Sequence, residues 1–414
     1  MCVVPPGWGY TMQYDPAPAS EESPFGFDEL FFSRTDEAGI IRAGNAVFQR
    51  VSRYSWDELL NKPHKIIRHP DVPRAVFRLL WNTIKAGSPI GAYVKNRSKD
   101  GRHYWVFAIV TPIEGGYLSV RLRPSSDFFQ IIQKVYPALA ADERRENLDP
   151  DASLALLSGQ IQGLGFASYP AFMAAALGRE LAARDIVLGR PVDQSLRHLD
   201  ELRGLADGLL QNAHRMKAAY KQNEIVPMNF RILASQLGQD GDAIGVISNN
   251  YVLLSDDMRN VLDLLMRAAY EVQRAINDSY FLLAVARVQC EAANVFRNEG
   301  DSTSSSEEMQ RLDRQAADYL SRAKLSLTDI AVKTKFRDYC LEMNRLSTGL
   351  EVMRVVGKVE CSRHVSVKER VDKLLSDLQT FQMEIASALQ EIDRINLSIE
   401  AETAALIKEE KMAA

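Results

Sequence analysis

Apolar residues that alternate steps of three and four near the end of the chain constrain its fold more than any other feature. This spacing puts every apolar side chain on one face of a long helix, as in coiled coils. A seam of this length must be buried against another helix, in the same chain or in a dimer. Its members are Val367, Val371, Leu374, Leu378, Phe381, Ile385, Ala388, Ile392, Ile395 and Ile399.

Two earlier seams, at 199–220 and 247–272, have the same spacing and flank a glycine-rich segment at 238–245. Two seams around a turn predict a coiled-coil hairpin. A generic four-helix bundle with a glycine turn has the same pattern, and the spacing alone does not distinguish the two. Pro227 precedes the turn and is expected to interrupt the incoming helix, because proline lacks the N–H that a helix interior needs.

Residues 28–125 have a different character, in which short strands and helices are separated by glycine, proline and polar turns. The order is two strands, then helices, then three strands. It predicts a small α+β domain with an antiparallel sheet and its helices on one face. The predicted elements are a hairpin around Gly39, helices at 46–51 and 55–60, a longer helix ending near 86, and strands at 92–97, 103–112 and 117–123.

A charged cluster directly precedes the longer helix of this domain. Arg68, His69 and Asp71 surround a proline, and the helix that follows carries Phe77 and Trp81. Polar groups beside an apolar, aromatic face are what a small-molecule pocket needs. A capped helix with Asp71 as its N-cap would use the same residues, so the pattern leaves both interpretations open.

Several motifs in this domain are shared with one known family. They are Ser33-Arg-Thr-Asp, Asn45, Lys62-Pro-His, Arg68-His-Pro-Asp-Val-Pro, Leu80-Trp-Asn-Thr-Ile-Lys, Val94-Lys-Asn-Arg, Asp100-Gly and Tyr104-Trp-Val. On these motifs, residues 30–125 resemble the PAS domain of bacterial aerotaxis receptors. The resemblance implies a PAS fold that binds FAD and senses the redox state of the cell.

The same resemblance implies which residues form the flavin site. It places Arg68, His69 and Asp71 at or near the flavin. Ile90 stands where these receptors usually have a tryptophan, so one aromatic wall of the pocket is absent. The residues that the resemblance adds to the pocket lining are Asn45, Trp81 and Asn96.

The glycine turn between the two seams lies in a longer motif, residues 222–254. Its matching positions are Gln222, Asn229, Ile232, Ala234, Gly238, Gly241, Val246 and Leu254. This stretch is similar, without a gap, to the hairpin tip of methyl-accepting chemotaxis proteins. The similarity implies a tip that contacts a coupling protein, a histidine kinase and other chemoreceptors. Leu233, Gln236 and Asn250 replace charged residues of that family.

Composition excludes several classes of function. A net charge of −4 without a basic run argues against nucleic acid. No apolar run approaches the roughly 20 residues that span a bilayer, and the first residues lack the order of a signal peptide. Four scattered cysteines predict reduced thiols in the cytoplasm. No metal-ligand spacing and no catalytic motif is visible, so we expect no metal site and no enzyme.

These observations predict a PAS domain followed by a long all-α region of helical hairpins. The 1–27 segment is expected to be flexible, and either Met1 or Met12 suits its start. The predicted divisions are a flexible arm at 1–27, the PAS sensor at 28–125, a helical connector at 126–190, a chemoreceptor-like hairpin at 191–285 and a second hairpin or bundle at 286–414.

The sequence therefore predicts a soluble cytoplasmic redox or oxygen sensor that binds FAD and acts in chemotaxis. We expect a homodimer whose helical rod receives the signal. The two-state element is predicted at 121–129, where the last strand leads into the first long helix. The alternative is a non-catalytic scaffold or adaptor of chemosensory arrays, with a vestigial PAS pocket.

Overall fold

The computed structural model describes residues 21–191, 193–237, 242–299, 303–333, 335–361 and 368–413. They form two compact units. As far as they are described, residues 1–191 and 285–316 make up the first unit, and residues 192–284 and 317–414 make up the second.

The first unit contains one five-stranded antiparallel sheet with the strand order β2-β1-β5-β4-β3. This arrangement confirms the predicted α+β domain. Every predicted strand is present, with ends shifted by at most a few residues. The strands are β1 (Phe31–Asp36), β2 (Ile41–Gly44), β3 (Ile90–Arg97), β4 (His103–Ile113) and β5 (Gly116–Leu122).

Three helices follow β2 and lie between it and β3 in the chain. They are α1 (Ala46–Ser52), α2 (Trp56–Leu59) and α3 (Arg74–Lys85), with a short 3-10 turn at His64–Ile67 between the last two. Ser55 caps α2 in a capping box with Glu58.

The N-cap predicted at Asp71 is wrong, because α3 begins at Arg74 with Pro73 at the N-cap position. A carboxylate from a distant helix takes over the capping role. Glu143 accepts hydrogen bonds from the backbone N–H groups of Arg74 (2.9 Å) and Ala75 (3.2 Å). The helix N-terminus is therefore satisfied from outside its own segment.

The connector after the sheet belongs to the first unit. Its helices are α4 (Asp127–Arg145), α5 (Pro150–Gly163) and α6 (Tyr169–Val187). Phe129 on α4 meets Trp105 of β4 edge to face, with ring centroids 5.5 Å apart. The aromatic side chains of this sheet face are therefore covered by the connector.

Residues 21–27 differ from the flexible arm predicted over 1–27, whose first 20 residues lie outside the described residues. The N–H of Ser23 donates to the carbonyl of His103 at 2.7 Å. Phe25 is buried and packs edge to face on Phe31, with centroids 4.7 Å apart. This segment is held on the sheet by backbone pairing and apolar burial.

The second unit is built from long helices. They are α7 (Gln194–Asn223), α8 (Val226–Leu237), α9 (Asp242–Glu299), α10 (Thr303–Lys333), α11 (Phe336–Cys361) and α12 (Lys368–Ala413), of which α9 and α10 contribute residues to both units. The predicted border at 285/286 falls inside α9. Residues 303–306, three of which are serines, begin α10.

Contacts at regular spacing show that α7 and α8 run antiparallel to α9. Hydrogen bonds join Gln273 to Asp207 of α7 and Asn249 to Arg231 of α8. Residues 238–241 of the predicted turn lie outside the described residues. Turn residues 224–225 separate α7 from α8, which is the interruption expected just before Pro227.

The seam of α12 is buried within the same chain. Ile395 packs against Gly208 of α7, and Gln382 accepts a hydrogen bond from Arg354 of α11 at 3.1 Å. Leu254 of α9 in turn packs against Gly349 of α11. Helices α7, α9, α11 and α12 therefore close a four-helix bundle. The seam residues that it buries are Leu378, Phe381, Ile385, Ala388, Ile392, Ile395 and Ile399.

We predict that Ile385→Ala destabilises the second unit by about 2–5 kcal/mol, because it leaves a cavity at a fully buried seam position. Urea unfolding followed by circular dichroism measures the change. Met383→Ala on the same helix is the matched control, since Met383 is 64% exposed and should shift stability by less than about 0.5 kcal/mol. Equal effects of the two substitutions would contradict the assigned seam.

Candidate functional site

The motif around Pro70 folds against the edge strand β3. Arg68 forms an isolated antiparallel bridge with Asn96. The N–H of His69 donates to the carbonyl of Lys95 at 3.3 Å, and the Lys95 ammonium lies 2.7 Å from an Asp71 carboxylate oxygen. The structure thus brings together four of the predicted site residues at one end of β3.

Two of these residues, His69 and Asp71, lie in contact and differ in charge state. Burial, reinforced by the positive charge of Lys95, lowers the pKa of His69 to about 4. Its Nδ1 accepts a hydrogen bond from the Asp71 N–H at 3.2 Å, as a neutral ring can. Burial works against ionisation of Asp71, but the hydrogen bond from Lys95 and the positive charge of the neighbouring side chains together outweigh it and lower the pKa of Asp71. Asp71 is therefore an ion-paired carboxylate beside a neutral imidazole.

Arg68 serves the packing of this region. Its guanidinium lies 3.8 Å from the centroid of the Phe77 ring, within the range of a cation–π contact. Burial lowers the pKa of Arg68 to about 10, against the opposing influence of Glu143. Arg68 stays charged at neutral pH and is held against α3.

Asn45 has a structural role that uses most of its hydrogen-bonding capacity. Its side-chain oxygen accepts from the N–H groups of Phe32 (3.0 Å) and Phe48 (3.2 Å). Its amide nitrogen donates to the Leu30 carbonyl at 2.8 Å. Both lone pairs of the oxygen are occupied, so Asn45 caps α1 and ties it to β1.

Trp81 lies far from the Arg68 group. Its ring packs over Gly39 in the β1–β2 turn and edge to face on Tyr117, with centroids 5.4 Å apart. Tyr117 pairs with Pro112 near one end of β4, whereas Asn96 pairs with Tyr104 near the other. The structure therefore places Trp81 toward the opposite end of the sheet from Asn96 and the Arg68 group.

The sheet interior contains a polar group that the sequence analysis missed. Alternation along paired strands puts Ser33, Ser119 and Arg121 on the face that Tyr104 also occupies. An Arg121 nitrogen donates to the Ser33 hydroxyl at 2.8 Å and lies 2.6 Å from Nε2 of His64. The sequence signal that could have revealed it is Arg121 itself. This charged residue continues the series of every second position that Tyr117 and Ser119 begin along β5.

Charge in this interior is uncompensated among the described residues. Arg121 is buried and forms no ion pair with a carboxylate there, and burial lowers its pKa to about 10. Burial, together with the charge of Arg121, lowers the pKa of His64 to about 3. Since arginine can only donate, Nε2 of His64 must be an unprotonated acceptor.

Three buried polar atoms in the same interior have no hydrogen-bond partner among the residues that the structure describes. They are the Tyr104 hydroxyl, the Ser119 hydroxyl and Nη1 of Arg121. Buried polar atoms are rarely left unsatisfied, because desolvation without a partner costs about 1–3 kcal/mol. A cation and two hydroxyls with free capacity form a donor set suited to a ligand edge that carries oxygen and nitrogen acceptors.

Aromatic side chains fill the space beside this donor set. The Phe48 ring stacks on His64, with centroids 5.9 Å apart, and the Arg121 guanidinium lies 5.6 Å from the same ring. A groove of about 470 Å³ lies at the other end of the sheet, near Ile84 and Tyr117. The donor chemistry fits a flavin ring edge, and entry of the ring requires Phe48 and His64 to move.

One group of side chains in the second unit has the composition of a metal site. The ligand atoms of His198, Glu201 and Glu402 lie within 4.8 Å of one another. His198 already lies 2.9 Å from Glu402, and Glu201 pairs with Arg197. Because these groups have protein partners on an accessible surface, we assign no metal to them.

We predict that His64→Gln flattens the pH dependence of stability in the first unit. Below pH 6.5 the unfolded state gains a proton that the folded state refuses until about pH 3, so wild-type stability falls as pH falls. Without His64, the slope of the free energy of unfolding against pH should fall by about 1.4 kcal/mol per pH unit between pH 6 and 4.

Urea unfolding followed by tryptophan fluorescence measures this slope, because Trp56, Trp81 and Trp105 belong to the first unit and the sequence has no tryptophan at 192–284 or 317–414. His214→Gln, at an exposed histidine of the second unit, is the matched control. An unchanged slope in His64→Gln would show that the ring takes up protons in the folded protein.

Comparison with known proteins agrees with the fold of the first unit. The PAS fold family matches residues 43–120. The aerotaxis receptor of Escherichia coli (strain K12) is 38% identical over 135 residues, which are 31% of this chain and 27% of that receptor. The nitrogen fixation regulatory protein of Klebsiella pneumoniae is 30% identical over 81 residues, covering 20% of this chain and 16% of that protein.

Among solved structures, the light-state structure of the blue-light photoreceptor Aureochrome1 LOV is 20% identical, with a TM-score of 0.23. The match covers 25% of this chain and 88% of that one. The chain spans less than a third of the length of the curated relatives it matches. None of the helices described has the length and apolar character that crossing a bilayer requires. The chain therefore carries a PAS domain related to that of the E. coli aerotaxis receptor, followed by a long helical region.

Proposed function

We propose that the PAS domain binds FAD in the interior around Arg121 and that the chain is a cytoplasmic redox or oxygen sensor for chemotaxis. The observation that carries this proposal is the buried guanidinium without a carboxylate partner, next to two unsatisfied hydroxyls. The relationship to an aerotaxis receptor supports the choice of ligand and signal. The unbridged thiols of Cys290 and Cys340 agree with a reducing compartment.

The side chains of this interior have distinct roles in the proposal. A bound flavin supplies redox chemistry and a ring edge rich in hydrogen-bond acceptors. Arg121 donates to that edge and holds a positive charge near it, which favours an electron-rich ligand. Tyr104 and Ser119 orient the ligand through their hydroxyls, and Phe48 provides an apolar ring face. The Arg68, His69 and Asp71 group lies at the edge of β3 and keeps α3 in place.

We propose that the signal passes from the sheet to the helices and that α7 to α9 form a chemoreceptor-like hairpin. The antiparallel contacts of α7 and α8 with α9 support the hairpin. A coupling protein, a histidine kinase and other chemoreceptors are the proposed partners. The chain is proposed to be non-catalytic, because His69 is neutral and Asp71 is ion-paired with Lys95, which leaves no acid–base pair.

The surface proposed for association is the end of the bundle near α8. Apolar side chains there are 50% to 68% exposed, which is unusual for residues at helical spacing on a monomer surface. A homodimer through this surface is the proposed assembly. The residues are Ile225, Met228, Ile232, Val246 and Leu253.

A scaffold with a vestigial pocket is the second candidate function. One observation favours it, namely that Phe48, His64 and Arg121 occupy the domain interior. A scaffold would bind its partners through the bundle end without any ligand in the PAS domain. Ligand binding therefore discriminates between the two functions.

We predict that purified full-length protein has the visible absorbance of an oxidised flavin, or acquires it with added FAD, and that dithionite bleaches it. Arg121→Met should lower FAD affinity by tenfold to a hundredfold, because a hydrogen bond to a charged group contributes about 1.5–3 kcal/mol. Fluorescence titration with FAD measures the affinity.

Arg78→Met is the matched control, since Arg78 is an exposed arginine of α3 that pairs with Asp151. The ligand-free Arg121→Met protein should be as stable as wild type or more so, because a buried charge without a carboxylate partner is removed. A colourless protein that takes up no FAD would favour the scaffold.

We predict that Leu253→Asp weakens self-association of the full-length protein at least tenfold, because it places a charge in the exposed apolar surface. Sedimentation velocity over a concentration series measures the change. Leu397→Asp is the matched control: both leucines are 65% exposed, but Leu397 is outside the proposed surface. Wild-type sedimentation of both variants would exclude this surface as the dimer contact.

A further inference from the structure

The end of α9 and the start of α10 cover the outer face of the PAS sheet. Residues 285–299 and 303–316 belong to the same compact unit as the sheet and are called the cover segment. At the centre of the contact, Phe296 of the cover segment meets Phe32 of β1 edge to face, with centroids 4.8 Å apart. Residues remote in sequence thus complete the burial of β1.

Polar contacts surround this aromatic pair. Nε of Arg34 lies 2.7 Å from Oε1 of Glu308, a residue only 3% exposed. The amide oxygen of Gln315 accepts from the Thr111 hydroxyl at 2.9 Å and from Gln289 at 2.7 Å. Contacts so rich in polar groups resemble an interface between separable parts more than a domain core.

The buried carboxylate of Glu308 is only partly compensated by its polar partners. Oε2 of Glu308 is buried and has no hydrogen-bond partner in the described part of the chain. A buried carboxylate with one cationic partner depends strongly on that partner, because its desolvation cost is otherwise unmatched. The position of Arg34 therefore controls whether Glu308 stays docked.

Strand β1 links this ion pair directly to the domain interior. Ser33 points inward and accepts a hydrogen bond from Arg121, whereas its neighbour Arg34 points outward to Glu308. Adjacent side chains on a strand face opposite sides of the sheet. A change in the Ser33–Arg121 contact thus reaches the ion pair through a single peptide unit.

We propose that the cover segment is a detachable output element, docked through Arg34 and Glu308, and that Ser33 and Arg121 couple its docking to the state of the interior. This coupling rests on the proposed sensing function, but the docking does not. Any event that draws Arg121 away from Ser33 shifts β1 and loosens the ion pair. The route differs from the β5–α4 junction that the sequence predicts as the two-state element.

Amide hydrogen exchange on the full-length protein tests the proposal. Glu308→Gln should raise exchange in peptides covering 289–299 and 308–316 at least tenfold, because it removes the charge that Arg34 pairs with. Ser33→Ala should raise exchange in the same peptides by a smaller factor, although it lies on the opposite face of the sheet. The double charge reversal Arg34→Glu with Glu308→Arg should restore part of the wild-type protection.

Glu391→Gln is the matched control, since Glu391 pairs with Arg394 on the solvent-facing side of α12. It should leave exchange in the cover segment unchanged. Unchanged exchange in Glu308→Gln would overturn the docking, and unchanged exchange in Ser33→Ala would overturn the coupling through β1. FAD titration of the same variants separates these outcomes from failure of the proposed function. Because coupling between two sites is reciprocal, Glu308→Gln should bind FAD more tightly than wild type. A wild-type protein that binds no FAD would overturn the proposed function and leave the docking result standing.

Discussion

Both faces of the five-stranded sheet have to be kept away from water, and this constraint organises the first unit. Strands β3, β4 and β5 are buried along most of their length. The inner face is covered by α1 and α3 and the outer face by α4, α6 and the cover segment. An antiparallel sheet with one wet face would show clear polar alternation, which these strands largely lack. The PAS domain is therefore completed by helices that follow it in the chain.

Two buried glutamates anchor those later helices. Glu180 of α6 accepts hydrogen bonds from the N–H groups of Ser125 (2.6 Å) and Ser126 (3.1 Å) and from the Tyr93 hydroxyl (2.8 Å). Glu143 has the same role at the start of α3. Burial raises the pKa of Glu180, yet the donors at the start of α4 favour its charged form. The desolvation cost of each carboxylate is offset by hydrogen bonds from backbone N–H groups at a helix N-terminus, which have no partner within their own helix.

The sequence predicted those parts of the fold that depend on local periodicity. The strand order and the seams of α7, α9 and α12 follow from steps of two or of three and four, which neighbouring residues determine. The placement of the cover segment on β1 could not be predicted, because Phe32 and Phe296 are far apart in the chain and each is an ordinary core residue. The sequence identified Arg68, His69 and Asp71 as a group. It did not reveal the ion pair between Asp71 and Lys95. Arg121 was missed because its importance depends on which side chains surround it in the folded domain. No described carboxylate pairs with it, and a local sequence pattern cannot show this.

The closure of the α7–α12 bundle within one chain has a consequence for how the helical region can evolve. In a symmetric dimer, every substitution occurs twice and both copies of a seam must tolerate it. Here each helix of the bundle is encoded separately, so one hairpin is free to keep a binding tip while the other acquires different surface residues. Folding of the bundle also escapes mass action, since its partner helices are present at a fixed effective concentration.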